Sequence, residues 1–189
     1  LHHLARALPE SDIPWFETDA ESVRWNERAP AIVDVAEFER LLAQPDGRAA
    51  AVDLYAGDLL ENLYDEWVLG PRERLRSRYL AALTDLGHEA RSARRFADTV
   101  SYAQRILRSD PWREDAVRQL MAARYESGDG AGALGAYDGF SRALRAELLV
   151  DPMPETKALR DAILRNEPVS PGGASPAADD LGRPREAPL

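Results

Sequence analysis

Residues 113–147 read REDAVRQLMAARYESGDGAGALGAYDGFSRALRAE, and this stretch decides the fold of the chain. The run Gly128-Asp129-Gly130 divides it into two segments of helical character. In each segment the large side chains recur every three or four residues, which places them along one face of a helix. The two faces hold Val117, Leu120, Met121, Arg124 and Tyr125, and then Ala133, Leu134, Tyr137, Phe140 and Leu144. Neither helix can bury its face alone, so the stretch predicts a helical hairpin that packs among further helices.

The composition is that of a globular protein that is not embedded in a membrane. The 189 residues suffice for one or two domains with a hydrophobic core. Hydrophobic residues make up 44% of the chain and charged residues 30%, which are ordinary values. No apolar run reaches about 18 residues and no signal peptide is visible, so we expect no transmembrane segment. Cysteine is absent, which excludes disulfides and is compatible with a reducing cytoplasm, where we expect the protein to reside.

The charge of the chain is acidic and unevenly distributed. The net charge is −9, and residues 1–45 alone hold nine acidic and four basic side chains. An acidic surface is repelled by a phosphate backbone. The composition therefore argues against a chain that binds nucleic acid on its own.

The N-terminal part predicts a helix end followed by a small hairpin. The segment LHHLARAL, residues 1–8, has apolar side chains on one helical face, and Pro9 ends that helix. Residues 15–18 and 22–25 then form two short runs with the aromatic and branched side chains that suit β-strands. Because the chain starts at Leu1 and inside an apparent helix, we expect it to be a fragment or a processed product.

Local signals predict where the remaining helices begin. Asp34 is suited to an N-cap, and Glu37 three residues later completes a capping box. Pro71 is suited to the first turn of a long helix, and Asp110-Pro111 to the cap and first position of another. Further helices are predicted over 49–60, 94–109 and 155–164. The Pro- and Gly-rich residues 166–189 cannot bury enough apolar surface to fold, so disorder is predicted there.

Motifs for catalysis or ligand binding give no site. Residues 130–135 spell GxGxxG, but a helix rather than a strand precedes them, which favours a tight inter-helix turn over a dinucleotide site. His2, His3 and His88 are the only histidines, and no cysteine or spaced carboxylate completes a metal-binding set. We therefore predict no catalytic residue, no cofactor and no metal, and a protein that is not an enzyme.

Arginine and tryptophan each allow two interpretations. The arginines at 72, 74, 76 and 78 could contact RNA polymerase or DNA phosphates, or they could pair with Glu73, Asp85 and Glu89 on a charged helix face. The second interpretation is favoured because alternate positions spread around a helix. The tryptophans at 15, 25, 67 and 112 are interpreted as packing anchors rather than as a platform for stacking bases.

The helical part resembles a known family. Its helix pairs repeat at about 34 residues, the spacing of tetratricopeptide arrays. The runs RLRSRYLAALTDLGHEARSARRF and RILRSDPWREDAVRQLMAARYESGDGAGALGAYDGFSRALRAELLVDPMPETKALRDAIL resemble the bacterial transcriptional activation domain of SARP-type antibiotic regulatory proteins. The similarity covers roughly residues 70–165 and, with residues 49–60, reaches back to about residue 49. The features that match are Arg118-Gln119-Leu120-Met121 with Tyr125, the turn and helix at Gly128, Ala133 and Leu134, and Glu147-Leu148 with Asp151-Pro152 and Pro154-Glu155.

The resemblance implies a fold, an arrangement of domains and a function. The fold would be mostly α, with a tetratricopeptide-like helical array preceded by a partial winged helix with a small β-hairpin. Residues 1–33 would be the end of a winged-helix DNA-binding domain, 34–165 the activation domain and 166–189 a disordered tail. The chain would be a transcriptional activator whose partners are promoter DNA, RNA polymerase and, as a homodimer, a second protomer. The implied DNA-contacting residues are His2, His3, Arg6 and Arg24.

Two other classes of function compete with this one. The first is a helical-repeat scaffold for protein interactions that has no role on DNA. The second is an enzyme or nucleotide sensor, which would need a P-loop domain beyond residue 189.

Overall fold

The structure, a computed structural model, describes residues 7–169 and is mostly helical. It divides into two compact units, one ending at Ala56 and one beginning at Gly57. The predicted helix over residues 1–8 falls almost entirely outside the described residues, as does the predicted tail beyond Val169. Among residues 7–169, no helix combines the length and the apolar character needed to cross a bilayer.

The first unit contains a β-hairpin and two short helices. Strands β1 (Phe16–Thr18) and β2 (Val23–Trp25) are antiparallel, and Glu17 lies opposite Arg24. Helices α1 (Asp34–Leu42) and α2 (Arg48–Leu54) pack against each other. The ring of Phe38, which is 3% exposed, lies 5.6 Å from the ring of Tyr55. The antiparallel pairing of β1 and β2 confirms the predicted hairpin.

The prediction of an N-cap at Asp34 is wrong. Val33 is the N-cap residue and makes no side-chain cap hydrogen bond, while Asp34 is already the first helical residue. Glu37 does not reach back to complete a capping box, because its carboxylate accepts two hydrogen bonds from Arg40 at 2.6 and 2.7 Å. Asp34 and Glu37 instead place negative charge in the first turn, where the helix dipole favours it.

Between Gly57 and Val169, the described part of the second unit is an array of five helices. They are α3 (Glu66–Ser92), α4 (Phe96–Ser109), α5 (Glu114–Glu126), α6 (Gly130–Glu147) and α7 (Pro154–Leu164). Helices α3 to α6 each pack against the next in sequence, and α7 packs against both α5 and α6. The predicted tetratricopeptide-like succession of helical hairpins, α3–α4 and α5–α6, is confirmed.

Apolar side chains from the predicted helix faces form the core of this array. One buried cluster joins α5, α6 and α7 through Val117, Met121, Ala133, Tyr137, Phe140, Leu144 and Ile163. Val169 packs against the same cluster although it lies at the start of the predicted tail. The stretch that decided the fold thus supplies most of this core.

Two predicted helix starts are wrong, both next to proline. Pro71 lies inside α3, which begins five residues earlier at Glu66. Because proline has no N–H, it cannot donate the usual helical hydrogen bond to the carbonyl of Trp67. Helix α5 begins at Glu114 rather than at Pro111, because the Asp110 carboxylate accepts a hydrogen bond from the N–H of Trp112 at 3.2 Å and forms a turn there.

Candidate functional site

The β-hairpin contains the one predicted DNA-contacting residue that the structure describes. Arg24 lies on β2, its side chain is 74% exposed, and its guanidinium lies 3.9 Å from the carboxylate of Asp19. His2, His3 and Arg6 lie outside the described residues, so the structure does not place them relative to Arg24. Arg24 is accessible to a phosphate, but an acidic neighbour competes for its charge.

Asp19 is held ionised in the hairpin turn. Its carboxylate accepts hydrogen bonds from the Ser22 hydroxyl at 2.7 Å, the Ser22 N–H at 2.7 Å and the Glu21 N–H at 2.9 Å. These bonds lower the pKa of Asp19, and the Ser22 hydroxyl makes the largest contribution. Residues 16–25 contain three carboxylates and one arginine, so the hairpin surface is negative overall. This surface lacks the basic footprint of a strong DNA-binding element.

Aromatic side chains hold the hairpin in shape. The ring of Trp25 lies 5.6 Å from that of Trp15 and 5.8 Å from that of Phe16. The indole N–H of Trp15 donates a hydrogen bond to the carbonyl of Pro9 at 2.7 Å, and the Asn26 amide donates one to the carbonyl of Pro14. The interpretation of Trp15 and Trp25 as packing anchors therefore agrees with these contacts.

In the helical array, α5 is the central element. It contacts α3, α4, α6 and α7, and every residue from 116 to 123 is buried except the half-buried Arg118. Leu120 is 7% exposed and Met121 is fully buried. These side chains belong to the core and cannot form a docking surface in the folded chain.

A polar cluster that the sequence did not reveal joins α5 to the start of α7. Both carboxylate oxygens of Glu114 accept hydrogen bonds from the N–H of Met153, at 2.9 and 3.0 Å. The buried hydroxyl of Thr156 donates to Glu114 at 2.5 Å and accepts from Arg118 at 3.0 Å. Partners about 40 residues apart have no periodic signal in the sequence, so only the fold could bring them together.

Two of the four arginines singled out on α3, Arg72 and Arg76, bind backbone carbonyls. Arg72 donates to the carbonyls of Leu59, Leu60 and Leu63, and Arg76 donates to the carbonyl of Ser109. For these two arginines, the favoured interpretation that they pair with Glu73, Asp85 or Glu89 is wrong. The carbonyls sit at helix and loop ends, where they have no helical donor.

A second arginine contact crosses between helices. Arg91, in the last turn of α3, forms a forked ion pair with Glu126 at the end of α5, with both N–O distances 2.8 Å. Its side chain is 10% exposed. The same guanidinium donates a longer bond to the carbonyl of Val169. Arg91 therefore links the end of α3 to α5, and its guanidinium is bonded to groups within the fold.

The glycine motif begins a helix whose N-terminus is capped by an aspartate. Gly130 is the first residue of α6, which follows helix α5 across a short turn. The Asp129 carboxylate accepts a hydrogen bond from the N–H of Gly132 at 2.8 Å and so occupies the helix N-terminus. His88 is exposed on α3, and within residues 7–169 no group of three potential ligands could hold a metal ion.

The tryptophan of α3 departs from its predicted role. Trp67 is 64% exposed, so its interpretation as a packing anchor is wrong. The neighbouring Val68 is fully buried and takes the inward position instead. The sequence prediction missed this because it placed the start of the helix at Pro71. Trp67 was therefore not assigned to either face of the helix.

Comparisons with known proteins point to transcription regulators. A family model described as bacterial transcriptional activator domain matches residues 33–164. The regulatory protein AfsR of Streptomyces griseus is 37% identical over 92 residues, which are 49% of this chain and 8% of AfsR. The transcriptional regulatory protein EmbR of Mycobacterium tuberculosis is 29% identical over 129 residues, which are 64% of this chain and 31% of EmbR. This chain thus spans less than a third of the length of these relatives.

A solved structure has the same fold. The structure of Mycobacterium tuberculosis EmbR in complex with a low affinity phosphopeptide matches with a TM-score of 0.63 and 23% identity, over 83% of this chain and 45% of that one. At this identity the similarity establishes the fold alone. It agrees with the predicted helical array preceded by a partial winged helix.

Proposed function

Because this chain belongs to the bacterial transcriptional activator domain family, we propose that it is part of a SARP-type activator that binds promoter DNA through its winged helix. The helical array would contact RNA polymerase or a second protomer. The observation that carries this proposal is the family match over residues 33–164, which spans α1 to α7. A function in the cytoplasm follows from the role in transcription.

The proposal assigns a role to each part of the chain. Residues 1–33 would complete the winged helix, and a family match that begins at residue 33 supports a boundary close to 33/34. Residues 34–165 form the activation domain, and 166–189 form a tail. His2, His3, Arg6 and Arg24 are proposed to contact phosphates. The exposed guanidinium of Arg24 supports this role for the hairpin.

DNA binding by this chain alone should be weak. The hairpin is negative overall, and base readout requires a complete helix seated in the major groove. Non-specific binding lies at about 10⁻⁴–10⁻⁶ M even for proteins with a full basic footprint. We therefore expect this chain to bind at the weak end of that range or beyond it.

The test is fluorescence anisotropy with labelled promoter DNA at physiological salt. It compares this chain with one extended upstream of Leu1 to a complete winged helix, and with Arg24→Ala in the extended chain. Tight binding by the extended chain that Arg24→Ala weakens would support the proposal. Tight, sequence-selective binding by the unextended chain would contradict it, because the element that reads DNA would then lie elsewhere. Retention of purified RNA polymerase on the immobilised chain tests the second half of the proposal.

The alternative is a helical-repeat scaffold without DNA binding. The observation that favours it is the excess of carboxylates over arginine on the hairpin. If the extended chain binds no DNA but the array still retains RNA polymerase or another protein, the alternative replaces the proposal.

A further inference from the structure

A short extended segment that follows α7 lies against the ends of two earlier helices. We call residues 166–169 the strap. Asn166 has φ +57°, and its N–H and that of the next residue donate to carbonyls in the last turn of α7, which is the hydrogen-bond pattern of a Schellman helix end. Pro168 restricts its own backbone and that of Glu167 to extended conformations. The local sequence therefore ends α7 and continues the chain as a stiff, extended segment.

Three contacts attach the strap to the array. The hydroxyl of Tyr125, in the last turn of α5, donates a hydrogen bond to the side-chain oxygen of Asn166 at 3.0 Å. The side chain of Val169 packs against the apolar cluster shared by α5, α6 and α7. The carbonyl of Val169 accepts a hydrogen bond at 3.4 Å from the guanidinium of Arg91, in the last turn of α3. Because extended backbone advances about 3.3 Å per residue, the strap spans about 10 Å, the usual spacing of packed helices, and so reaches from α5 to α3.

The residues that receive the strap are held in place before it binds. We call Arg91, Tyr125 and Glu126, with the adjoining edge of the apolar cluster, the strap site. The forked ion pair with Glu126 fixes the guanidinium of Arg91, whose side chain is 10% exposed, so that an N–H points at the strap. That N–H binds a backbone carbonyl, which every extended peptide carries. Tyr125 adds a contact to a side chain and the cluster adds an apolar anchor, so the site combines backbone capture with side-chain selection.

The contacts of the strap are too few to make it a permanent part of the core. Glu167 and Pro168 are exposed and Val169 is only half-buried. The bond of 3.4 Å from Arg91 is longer than the usual 2.7–3.2 Å of an N–H···O hydrogen bond. The strap binds chiefly because it is attached to α7, which gives it an effective concentration in about the millimolar range.

We propose that the ends of α3 and α5 form a binding site for an extended peptide, and that the strap occupies this site as an autoinhibitory contact. The site takes a peptide with a hydrogen-bond-accepting side chain, followed three residues later by a branched apolar one, as Asn166 and Val169 are. The inference goes beyond the proposed function, because it depends on the helical array and requires neither DNA nor RNA polymerase.

The first measurement determines whether the strap is docked. The chain contains no cysteine, so Val169→Cys introduces a single thiol at the anchor position. Its alkylation rate, divided by the rate in urea, should be at least about fivefold lower than for Leu149→Cys, at a position that is 88% exposed. Adding Asn166→Gly should raise the rate at position 169, because glycine keeps the left-handed helix end but removes the acceptor for Tyr125.

The second measurement determines whether the site accepts a peptide. The double change Asn166→Gly with Val169→Asp, made in the whole chain, releases the strap and leaves every residue of the strap site intact. In fluorescence anisotropy, a labelled synthetic peptide of residues 165–171 should bind this opened chain, and the unmodified chain at least about tenfold more weakly, because the strap competes. A peptide with aspartate in place of its valine should not bind. Tyr125→Phe in the opened chain should raise the Kd about three- to tenfold, as expected for the loss of one hydrogen bond.

Four results would overturn the proposal. Equal alkylation rates at positions 169 and 149 would mean that the strap is not docked. Failure of the opened chain to bind the peptide would leave the strap with a structural role only. Equal peptide affinity for the opened and the unmodified chain would place the binding elsewhere. Protection of the thiol that is lost on dilution, with dimers in sedimentation, would make the strap of a second copy the occupant. Asn166→Gly alone repeats the peptide measurement if the double change lowers the thermal midpoint.

Discussion

Leu149 should be a residue whose replacement by glycine stabilises the protein. It follows Leu148, the C-cap of α6, and has φ +58°, in the left-handed region that a helix-terminating glycine usually occupies. Its side chain is 88% exposed, so the fold gains little from its burial. The neighbouring Leu148 has φ −113° and is 47% exposed, which makes it a matched control at the same helix end.

The expected magnitudes follow from these values. The left-handed conformation costs an L-residue about 1–2 kcal/mol. Glycine removes this cost but adds about 0.5–1 kcal/mol of backbone entropy loss on folding. The small buried part of the Leu149 side chain contributes about 0.3 kcal/mol. Leu149→Gly should therefore stabilise the chain by about 0.5 kcal/mol. Leu148→Gly has no strain to release and loses a half-buried side chain, so it should destabilise the chain by about 2 kcal/mol.

The assay is equilibrium urea unfolding of both variants and of Leu149→Ala, followed by circular dichroism. Leu149→Ala keeps the Cβ atom and hence the strain, so its free energy of unfolding should stay close to that of the unmodified chain. The two glycine variants should differ by about 2.5 kcal/mol, which is roughly 5–10 °C in the thermal midpoint of a chain of this length. A loss of stability in Leu149→Gly as large as that in Leu148→Gly would refute the reasoning.

Three further changes test the core and its charges. Leu120→Ala should lower the free energy of unfolding by about 2–5 kcal/mol, because Leu120 is 7% exposed in the centre of the array, and a neutral result in urea unfolding would place it on the surface instead. Gly87→Ala should cost no more than about 1 kcal/mol in the same assay, because its Cβ would lie 2.7 Å from the amide oxygen of Gln119, the end of a side chain that can shift, and a loss of about 3 kcal/mol would mean that this amide is held rigidly. The hydrogen bond from Arg113 is the main reason why the pKa of Asp115 lies below its ordinary value. The pair contributes its full stabilisation above the pKa that Asp115 has in the unfolded chain, and this stabilisation is lost as the pH falls through the lower pKa that Asp115 has in the folded chain. Between about pH 6 and about pH 3, the urea midpoint should therefore fall less for Asp115→Asn than for the unmodified chain.

Helix faces were predictable because burial repeats with the period of the helix. Val117, Leu120 and Met121 on α5 are all buried as predicted, and so are Tyr137 and Phe140 on α6. Once the chain is helical, a stripe of apolar side chains is removed from water only when that face packs against other elements. The pattern therefore determines which face of the helix is buried. The same logic gave the β-hairpin, whose aromatic residues pair across the two strands.

Helix starts were less predictable because several residues compete for each cap. Asp34 was predicted as a cap and lies one residue inside α1. Pro71 was predicted in a first turn and lies in the second turn of α3, where Val68 is buried and holds the turn before it. A cap is worth only about 1 kcal/mol, so packing of a neighbouring side chain can move the end of a helix by several residues.

The sequence by itself determined the helical class, the hairpin, the faces that form the core and the absence of a recognisable catalytic motif, because each of these depends on neighbours within a few residues. Only the tertiary structure decided which polar groups meet. Glu114 is hydrogen-bonded to Thr156, Arg72 to carbonyls of the preceding loop, and Arg91 to Glu126. It also decided that Trp67 faces solvent while Val68 is buried. The physical reason is that hydrogen bonds and ion pairs between distant residues depend on the positions of whole helices. The packing of apolar faces determines those positions and therefore which polar groups come within bonding distance.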